Sequence, residues 1–425
     1  MVEEQGVVRQ MLSDAEIPRM ALVRQNFPRP RVENIPEKIR ELLERPPYLD
    51  TIRPGMEVAI TCGSRGIANI PCIIREICSF VRRRGAKPFI VPAMGSHGGA
   101  TAEGQREILA GLGVTEETCG AEIRSDMNAV SIGQTEDGRT VYMDRHAVGA
   151  DGIIVVGRIK PHTDFRGPYE SGIMKMMVIG LGKQRGAEIF HQDGPRYMAQ
   201  NIPLFGKAVL THANILSALA ILENAYDETA RLEAMLPHEI ESREPPLLEE
   251  AKRLMPQSYI QDVDLLIVDQ VGKDISGDGM DPNITGRFCN PYVSGGMHAT
   301  KMAILDLSEA SHGQMVGLGY GDTTTLRCFR KCDLEASYPN ALTSTSFIPF
   351  RIPLILPSDR EAIGACLKYL GERADRPRVI RIHDTLHLSE IWISEGLLEE
   401  AAAHPNIEIL SDPAYMPFDQ AGNLW

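Results

Sequence analysis

The chain has 425 residues, a formal net charge of −13, and 43% hydrophobic against 24% charged residues. That length exceeds one ordinary hydrophobic core, so two domains are expected, with the composition of a globular protein. The acidic balance argues against nucleic acid or an anionic membrane as the main partner, because both recruit positive surface, whereas a small anionic substrate needs only a local cation. No uninterrupted apolar run reaches the ~18 residues of a membrane span. The opening stretch, Met1 to Gly6, has no basic start followed by an apolar run, so a cytoplasmic location is the expectation. Eight scattered cysteines include no Cys-x-x-Cys pair, which disfavours a thiolate zinc site and reads as reduced thiols.

The first ~50 residues are rich in proline and charge, with one helical stretch from Ile35 to Arg45, and read as a lead-in segment. A strand–helix–strand unit follows: Met56 to Thr61, a loop Gly63 to Gly66, a helix Ile70 to Arg84, and a strand Pro88 to Ala93. A second glycine loop, Gly95 to Gly99, leads to Thr101, placed to cap a helix from Ala102 to Leu112. Ile153 to Ile159 is a third strong strand, and Val209 to Ala225 is apolar and helical or mixed. Glu239 to Leu254, with its Pro245-Pro246 pair, reads as a linker or a surface helix. New strands begin at Asp264 to Val271 and continue at Met302 to Leu307, Ile352 to Pro357, Val379 to Ile382 and Ile407 to Leu410, with a helix from Glu361 to Leu370 between them. Strands alternating with helices specify an α/β fold with parallel-rich sheets. The expected architecture is two α/β domains, residues 1–260 and 261–425, with an active-site cleft between them.

Three of these strand-to-helix loops offer polar groups at a strand's carboxyl end, where open α/β sheets place their ligands. They are Ser64 and Arg65, then Ser96 and His97, then His162, Asp164 and Arg166. Any one glycine loop alone reads as a tight turn; three that carry two histidines and an arginine point to a site. Lys175 lies in an apolar, glycine-flanked stretch, Ser171 to Gly182. It reads either as a lysine reaching to solvent from a helix face or as a covalent attachment point or anion clamp. Gly180 to Gly186, around Lys183, resembles a phosphate loop only loosely and fits no nucleotide fingerprint in register. His383 and His387 read as structural. In the second half, Asp278 to Arg287 is a polar, glycine-containing loop suited to substrate hydroxyls or to closing the cleft, and Lys301 is a second cation to set beside Arg65 for a substrate carboxylate.

These residues, in this order, resemble the nickel-pincer-nucleotide-dependent lactate racemase family of 2-hydroxy-acid racemases and epimerases. The resemblance runs from about Ile35 to the C-terminus. It rests on Ser64-Arg65, Gly95 to His97, Pro161-His162, Ser171 to Lys175 and His191. It implies a nickel-pincer nucleotide attached covalently at Lys175 and contacted by Ser64, with His191 as the protein's nickel ligand. It further implies His97 and His162 as the paired acid and base, Arg65 and Lys301 on the substrate carboxylate, and separate accessory proteins that make the cofactor. The C2 hydrogen of a 2-hydroxy acid is poorly acidic, so removal as hydride, with a base on the hydroxyl, avoids a carbanion the carboxylate stabilises badly. Two histidines give each face its own proton partner.

The chain also departs from lactate racemase. Cys62 replaces an acidic residue ahead of the loop arginine, Met297-His298 replaces a Tyr-Gln pair, and the stretch from His162 to Lys175 is longer, adding Asp164, Arg166 and Tyr169. The added polar groups suggest a larger hydroxylated acid, such as an aldonate epimerised at C2. Two other classes compete: a zinc hydrolase using His97, His162 and His191 with Asp164 or Glu170 as base, and a cofactor-free sugar-acid binding protein. Expected partners are the small acid, the accessory proteins and, as an open alternative, further copies of the chain.

Overall fold

The structure, a computed structural model, describes residues 6–344, 346–368, 370 and 375–425. Two compact units emerge: residues 29–255, and a second made of residues up to 28 together with 256–425.

In the unit of residues 29–255, six strands form one sheet in the order Glu122–Ile123, Lys87–Pro92, Glu57–Cys62, Gly152–Arg158, Ile215–Glu223, Thr229–Met235. The first five run parallel and only the last pair is antiparallel. Strand side chains alternate in direction, so each strand feeds two cores. Ala59, Phe89, Val91, Ile153 and Val155 pack on one face with Met174, Met177, Phe190 and Phe205. Val58, Ile60, Ile90, Ile154 and Val156 pack on the other with Ile73, Ile74, Ile77 and Phe80 of the helix Ile70–Arg83. That helix buries isoleucines at i, i+3, i+4 and i+7, the spacing of one helix face, and truncation of any one to alanine costs about 2–5 kcal/mol.

The Pro245-Pro246 segment is not a linker but part of a helix with one exposed face. It lies inside an 18-residue helix, Pro237–Leu254, whose Ile240, Leu247, Leu248, Ala251 and Leu254 are buried. The mixed run near residue 210 resolves into a helix, Met198–His212, and a strand, Ile215–Glu223. A separate hairpin, Ala129–Gln134 with Thr140–Asp144, carries a bulge between Ser131 and Gly133.

The second unit holds an eight-stranded sheet in the order Leu354–Leu356, Thr323–Thr325, His298–Leu307, Asp262–Val271, Val379–Ile382, Glu390–Ser394, Met20–Gln25, Ile407–Ile409. Its first five strands are parallel and the remaining pairings antiparallel. The sequence expectation of a first domain starting at residue 1 is therefore corrected. Met20–Gln25 pairs with Glu390–Ser394 on one side and Ile407–Ile409 on the other. Its Ala21 and Val23 are fully buried. A six-residue strand inside a proline- and charge-rich lead-in leaves too short a pattern to read. The expected boundary near residue 260 compares with a division at Met255/Pro256. The helix expected to Leu370 spans Asp359–Lys368; residue 369 lies outside the described residues, as do 1–5 of the opening stretch. No described helix is long and apolar enough to cross a membrane.

Candidate active site

Three loops leave the carboxyl ends of neighbouring parallel strands in the 29–255 unit. Ser64 and Arg65 follow Glu57–Cys62, His97 follows Lys87–Pro92, and His162 follows Gly152–Arg158. Ser64 Oγ hydrogen-bonds His97 Nδ1, tying the first two loops together. The His97 loop depends on glycine at position 98. Its φ is +69°, and a Cβ there would stand 2.5 Å from the Gly104 backbone. Thr101 then caps the helix Ala102–Gly111 by accepting the Gly104 N–H at 3.0 Å.

The third loop is pinched shut by paired backbone bonds between Lys160 and Ser171, at 3.0 and 3.1 Å. Inside it, the fully buried Glu170 carboxylate accepts the His162 N–H at 2.7 Å and stands 3.1 Å from Lys252 Nζ. Beyond Ser171 the chain enters a short helix, Ile173–Lys175, continued by a π-turn over Met176–Gly180. Such irregular turns are frequent at functional positions. They bring Lys175 Nζ to 2.6 Å from His162 Nε2.

The proton count at that contact follows from the other edge of the ring. The Asp164 backbone N–H donates to His162 Nδ1 at 3.0 Å. A ring nitrogen that accepts carries no proton, so this pattern assigns the proton of the neutral imidazole to Nε2. Burial, reinforced by Lys175, holds His162 well below the ordinary histidine range, which keeps the ring neutral. The Lys175 amine meets that Nε2 edge at 2.6 Å.

His191 ends the helix Lys183–His191. Its Nδ1 bonds the Ala187 carbonyl at 2.6 Å, which fixes the proton on Nδ1 and leaves the Nε2 lone pair as the donor edge. The residue keeps solvent exposure on one side while neighbours, Phe190 among them, crowd the ring. That desolvation lowers its pKa. A neutral imidazole with a committed Nδ1–H has the form a metal ligand takes.

Residues 13–196 match the family model of the lactate racemase N-terminal domain. The matched span makes this part of the chain lactate racemase-like. The matched span holds Ser64, Arg65, His97, His162, Lys175 and His191, and excludes Lys301. The fold is similar to the lactate racemase apoprotein of Thermoanaerobacterium thermosaccharolyticum, at 13% identity over 87% of this chain and 99% of that one, TM-score 0.50. A structural-genomics protein from Thermotoga maritima is similar at 14% identity over 67% of this chain and 71% of that one, TM-score 0.47. No curated protein matches the chain.

The nickel-pincer nucleotide that lactate racemase likeness implies is compatible with the donor set here. A cofactor that brings its own metal donors needs one protein ligand and one amine, and His191 Nε2 and Lys175 Nζ have those forms. A zinc site built from protein alone does not find its ligands. Among the described residues no group of three or more His, Cys, Asp or Glu side chains is placed to hold a metal ion. Glu170, one of the two acids named as base for such a hydrolase, already serves the His162 N–H and Lys252.

The polar residues expected to meet substrate hydroxyls divide. Tyr169 gives its hydroxyl to the Glu241 carbonyl at 2.8 Å, and Arg166 bonds the His162 carbonyl at 2.7 Å, so both brace the loop. Asp164 Oδ2 stands 4.0 Å from His162 Nδ1. Lys301 belongs to the second unit, in the strand His298–Leu307. There Asp322 lies 3.8 Å from Lys301 Nζ and 3.0 Å from Arg287 Nη2, so the end of the Asp278–Arg287 loop shares a carboxylate with Lys301.

One buried group escaped the sequence. Glu244 accepts the Met174 N–H at 3.0 Å, at the start of the Lys175 helix, and burial pushes its carboxyl up to about 8. The apolar spacing of Leu247, Leu248, Ala251 and Leu254 announces its helix, but the Pro245-Pro246 pair masked it.

Proposed function

We propose that this chain is an isomerase, a racemase or epimerase that inverts C2 of a 2-hydroxy acid, with a nickel-pincer nucleotide held by Lys175 and His191. The observation that carries the reading is the His162–Lys175 contact, which sets the lysine amine 2.6 Å from an imidazole that burial keeps neutral. When bound, the cofactor supplies a reversible two-electron acceptor for the C2 hydrogen.

The protein's own residues do the rest. His97, its Nδ1 anchored on Ser64, exchanges the hydroxyl proton through Nε2 on one face. His162, neutral near pH 7, serves as the base on the other once Lys175 is engaged. Ser64 borders the cofactor, while Arg65 holds the substrate carboxylate. The substrate class follows from the lengthened His162–Lys175 loop: a hydroxylated acid larger than lactate, such as an aldonate. Asp164, on that loop, is the residue proposed for its hydroxyls.

The test is the intact mass of the chain produced with nickel and the cofactor-synthesis proteins, beside its Lys175→Ala variant. An adduct of a few hundred daltons, as for a mononucleotide-sized cofactor, on the wild type alone is the expected result. Polarimetry on lactate and on aldonates then reads the substrate. An unmodified mass in both proteins overturns the covalent-cofactor mechanism. Unchanged sugar-acid binding by that same Lys175→Ala protein would favour a binding protein.

A further inference from the structure

Lys183 sits in the stretch that looks like a phosphate loop, yet its side chain is 0% exposed. Its Nζ donates to the Pro92 carbonyl at 2.6 Å and to Gln105 Oε1 at 3.0 Å, and lies 3.1 Å from Asp144 Oδ2. The Asp144 side chain is equally buried, and its other oxygen accepts the N–H groups of His146 and Ala147. The lysine therefore faces inward, away from any anion in solution. Lys183 also holds a left-handed backbone, φ +54°, which is sterically costly for a residue with a Cβ. Burial lowers its pKa and Asp144 opposes that shift.

The cluster ends on the His97 loop. Gln105 is also fully buried, and its amide nitrogen donates to the Gly95 carbonyl at 2.9 Å and the His97 carbonyl at 3.2 Å. A glutamine amide can face either way, and here Lys183 decides. An ammonium offers only donors, so it fixes Oε1 toward itself and turns both N–H groups onto the loop. Gly95 N–H adds a bond to the Gly180 carbonyl at 3.2 Å, tying the loop to the same stretch that carries Lys183. Pro92, Gly95 and His97 are thus bound to one buried cation and its relay.

We propose that Lys183, acting through Gln105 and anchored by Asp144, is a positioning residue that sets the His97 loop so that the imidazole meets Ser64. This rests on the reading of His97 as an acid–base residue. None of the three side chains touches substrate or cofactor in that role. Their effect is to limit the motion of the loop on which a catalytic ring is carried.

The test uses full-length apoprotein labelled with 15N-histidine, the His97 ring being assigned by a His97→Gln variant. Ser64→Ala supplies the ring signature of a lost Ser64 contact. Gln105→Met removes the relay while leaving Lys183 its two other partners. Lys183→Met combined with Asp144→Asn removes both charges together and keeps an oxygen for the His146 and Ala147 N–H groups. Either variant that folds, by far-UV dichroism, is expected to move the His97 ring resonances toward those of Ser64→Ala and to leave the His191 ring unchanged. In cofactor-loaded enzyme, Gln105→Met is expected to lower kcat on the order of ten-fold or more, with KM altered less than about two-fold. Folded variants whose His97 ring matches wild type overturn the proposal, whatever their melting temperature. The ring signature needs neither cofactor nor substrate, so a failure of the isomerase reading would show separately, as wild-type enzyme without turnover.

Discussion

Both units place charged side chains at the carboxyl ends of parallel strands, but they treat them differently. In the second unit the acids there meet cations. Asp269 is bound by both ends of the Arg381 guanidinium, at 2.8 and 2.9 Å. Asp306 stands 3.0 Å from Lys331 and 3.3 Å from Arg327, and Asp359 stands 2.9 Å from Arg327. These acids are closed in ion pairs with guanidinium and ammonium groups; burial raises the Asp269 and Asp359 carboxyls, and their arginines oppose the shift. In the 29–255 unit the corresponding loops carry imidazoles bonded to a hydroxyl, an amine and backbone groups, partners between which protons can move. The end of a parallel sheet is thus not sufficient for a site. What distinguishes one is loops that bring proton-exchanging groups together in place of permanent ion pairs.

The sharpest way to break that comparison is through His97. His97→Gln removes the proposed acid–base group and is expected to lower turnover of loaded enzyme by ~10²–10⁴-fold, while the covalent adduct mass stays the same. Turnover within a few-fold of wild type would take His97 out of the reaction. Arg381→Met asks the converse of the second unit. It strands the Asp269 carboxylate, whose side chain is 5% exposed, and is expected to cost about 3–5 kcal/mol in chemical denaturation. Turnover per folded molecule should not change; a ten-fold fall would mean that this sheet edge belongs to the chemistry.

The sequence shows the candidate-site loops more clearly than the framework that holds them. Glycine loops after apolar runs mark Ser64, His97 and His162, because a parallel strand buried on both faces leaves a continuous hydrophobic run ending in a turn. Lys175 and His191 stand out by type within such stretches. The supporting groups do not. Gln105 behind His97 and Glu244 under the Lys175 helix are ordinary polar residues in sequence, and only three-dimensional proximity gives them a task; Glu170, named in sequence only as a base for a zinc site, accepts the His162 N–H instead. Lys183 gave no signal for the same reason: a lysine among glycines reads alike whether it faces an anion or a buried aspartate. Met20–Gln25 was hidden because its partners, Glu390–Ser394 and Ile407–Ile409, lie nearly 400 residues away.

A smaller effect separates the site's floor from its loops. The Glu244 carboxyl titrates near 8 in the folded chain and near its ordinary 4.5 when unfolded, so between those values the folded state binds the extra proton. Stability should therefore fall as pH rises through that window, by at most about 1.4 kcal/mol per pH unit. Glu244→Gln keeps an oxygen for the Met174 N–H and should flatten the decline. Urea denaturation of both proteins at pH 5, 6.5 and 8 reads it directly, and parallel curves would mean that Glu244 ionises without cost.

The smallest expected effect concerns the exposed end of the same comparison. Thr101 Oγ1 accepts the Gly104 N–H at 3.0 Å and donates to the Gly98 carbonyl at 2.9 Å, so it joins the His97 loop to the helix Ala102–Gly111. Thr101→Ala should cost about 1 kcal/mol, the ordinary loss of an N-cap. If the buried Gln105–Lys183 contacts hold the loop, removing this solvent-side bond leaves the His97 ring resonances near their wild-type positions and kcat within about two-fold. A His97 signature displaced as far as that of Ser64→Ala would show instead that the loop is set from its exposed side, with the helix cap rather than the buried cation governing the ring.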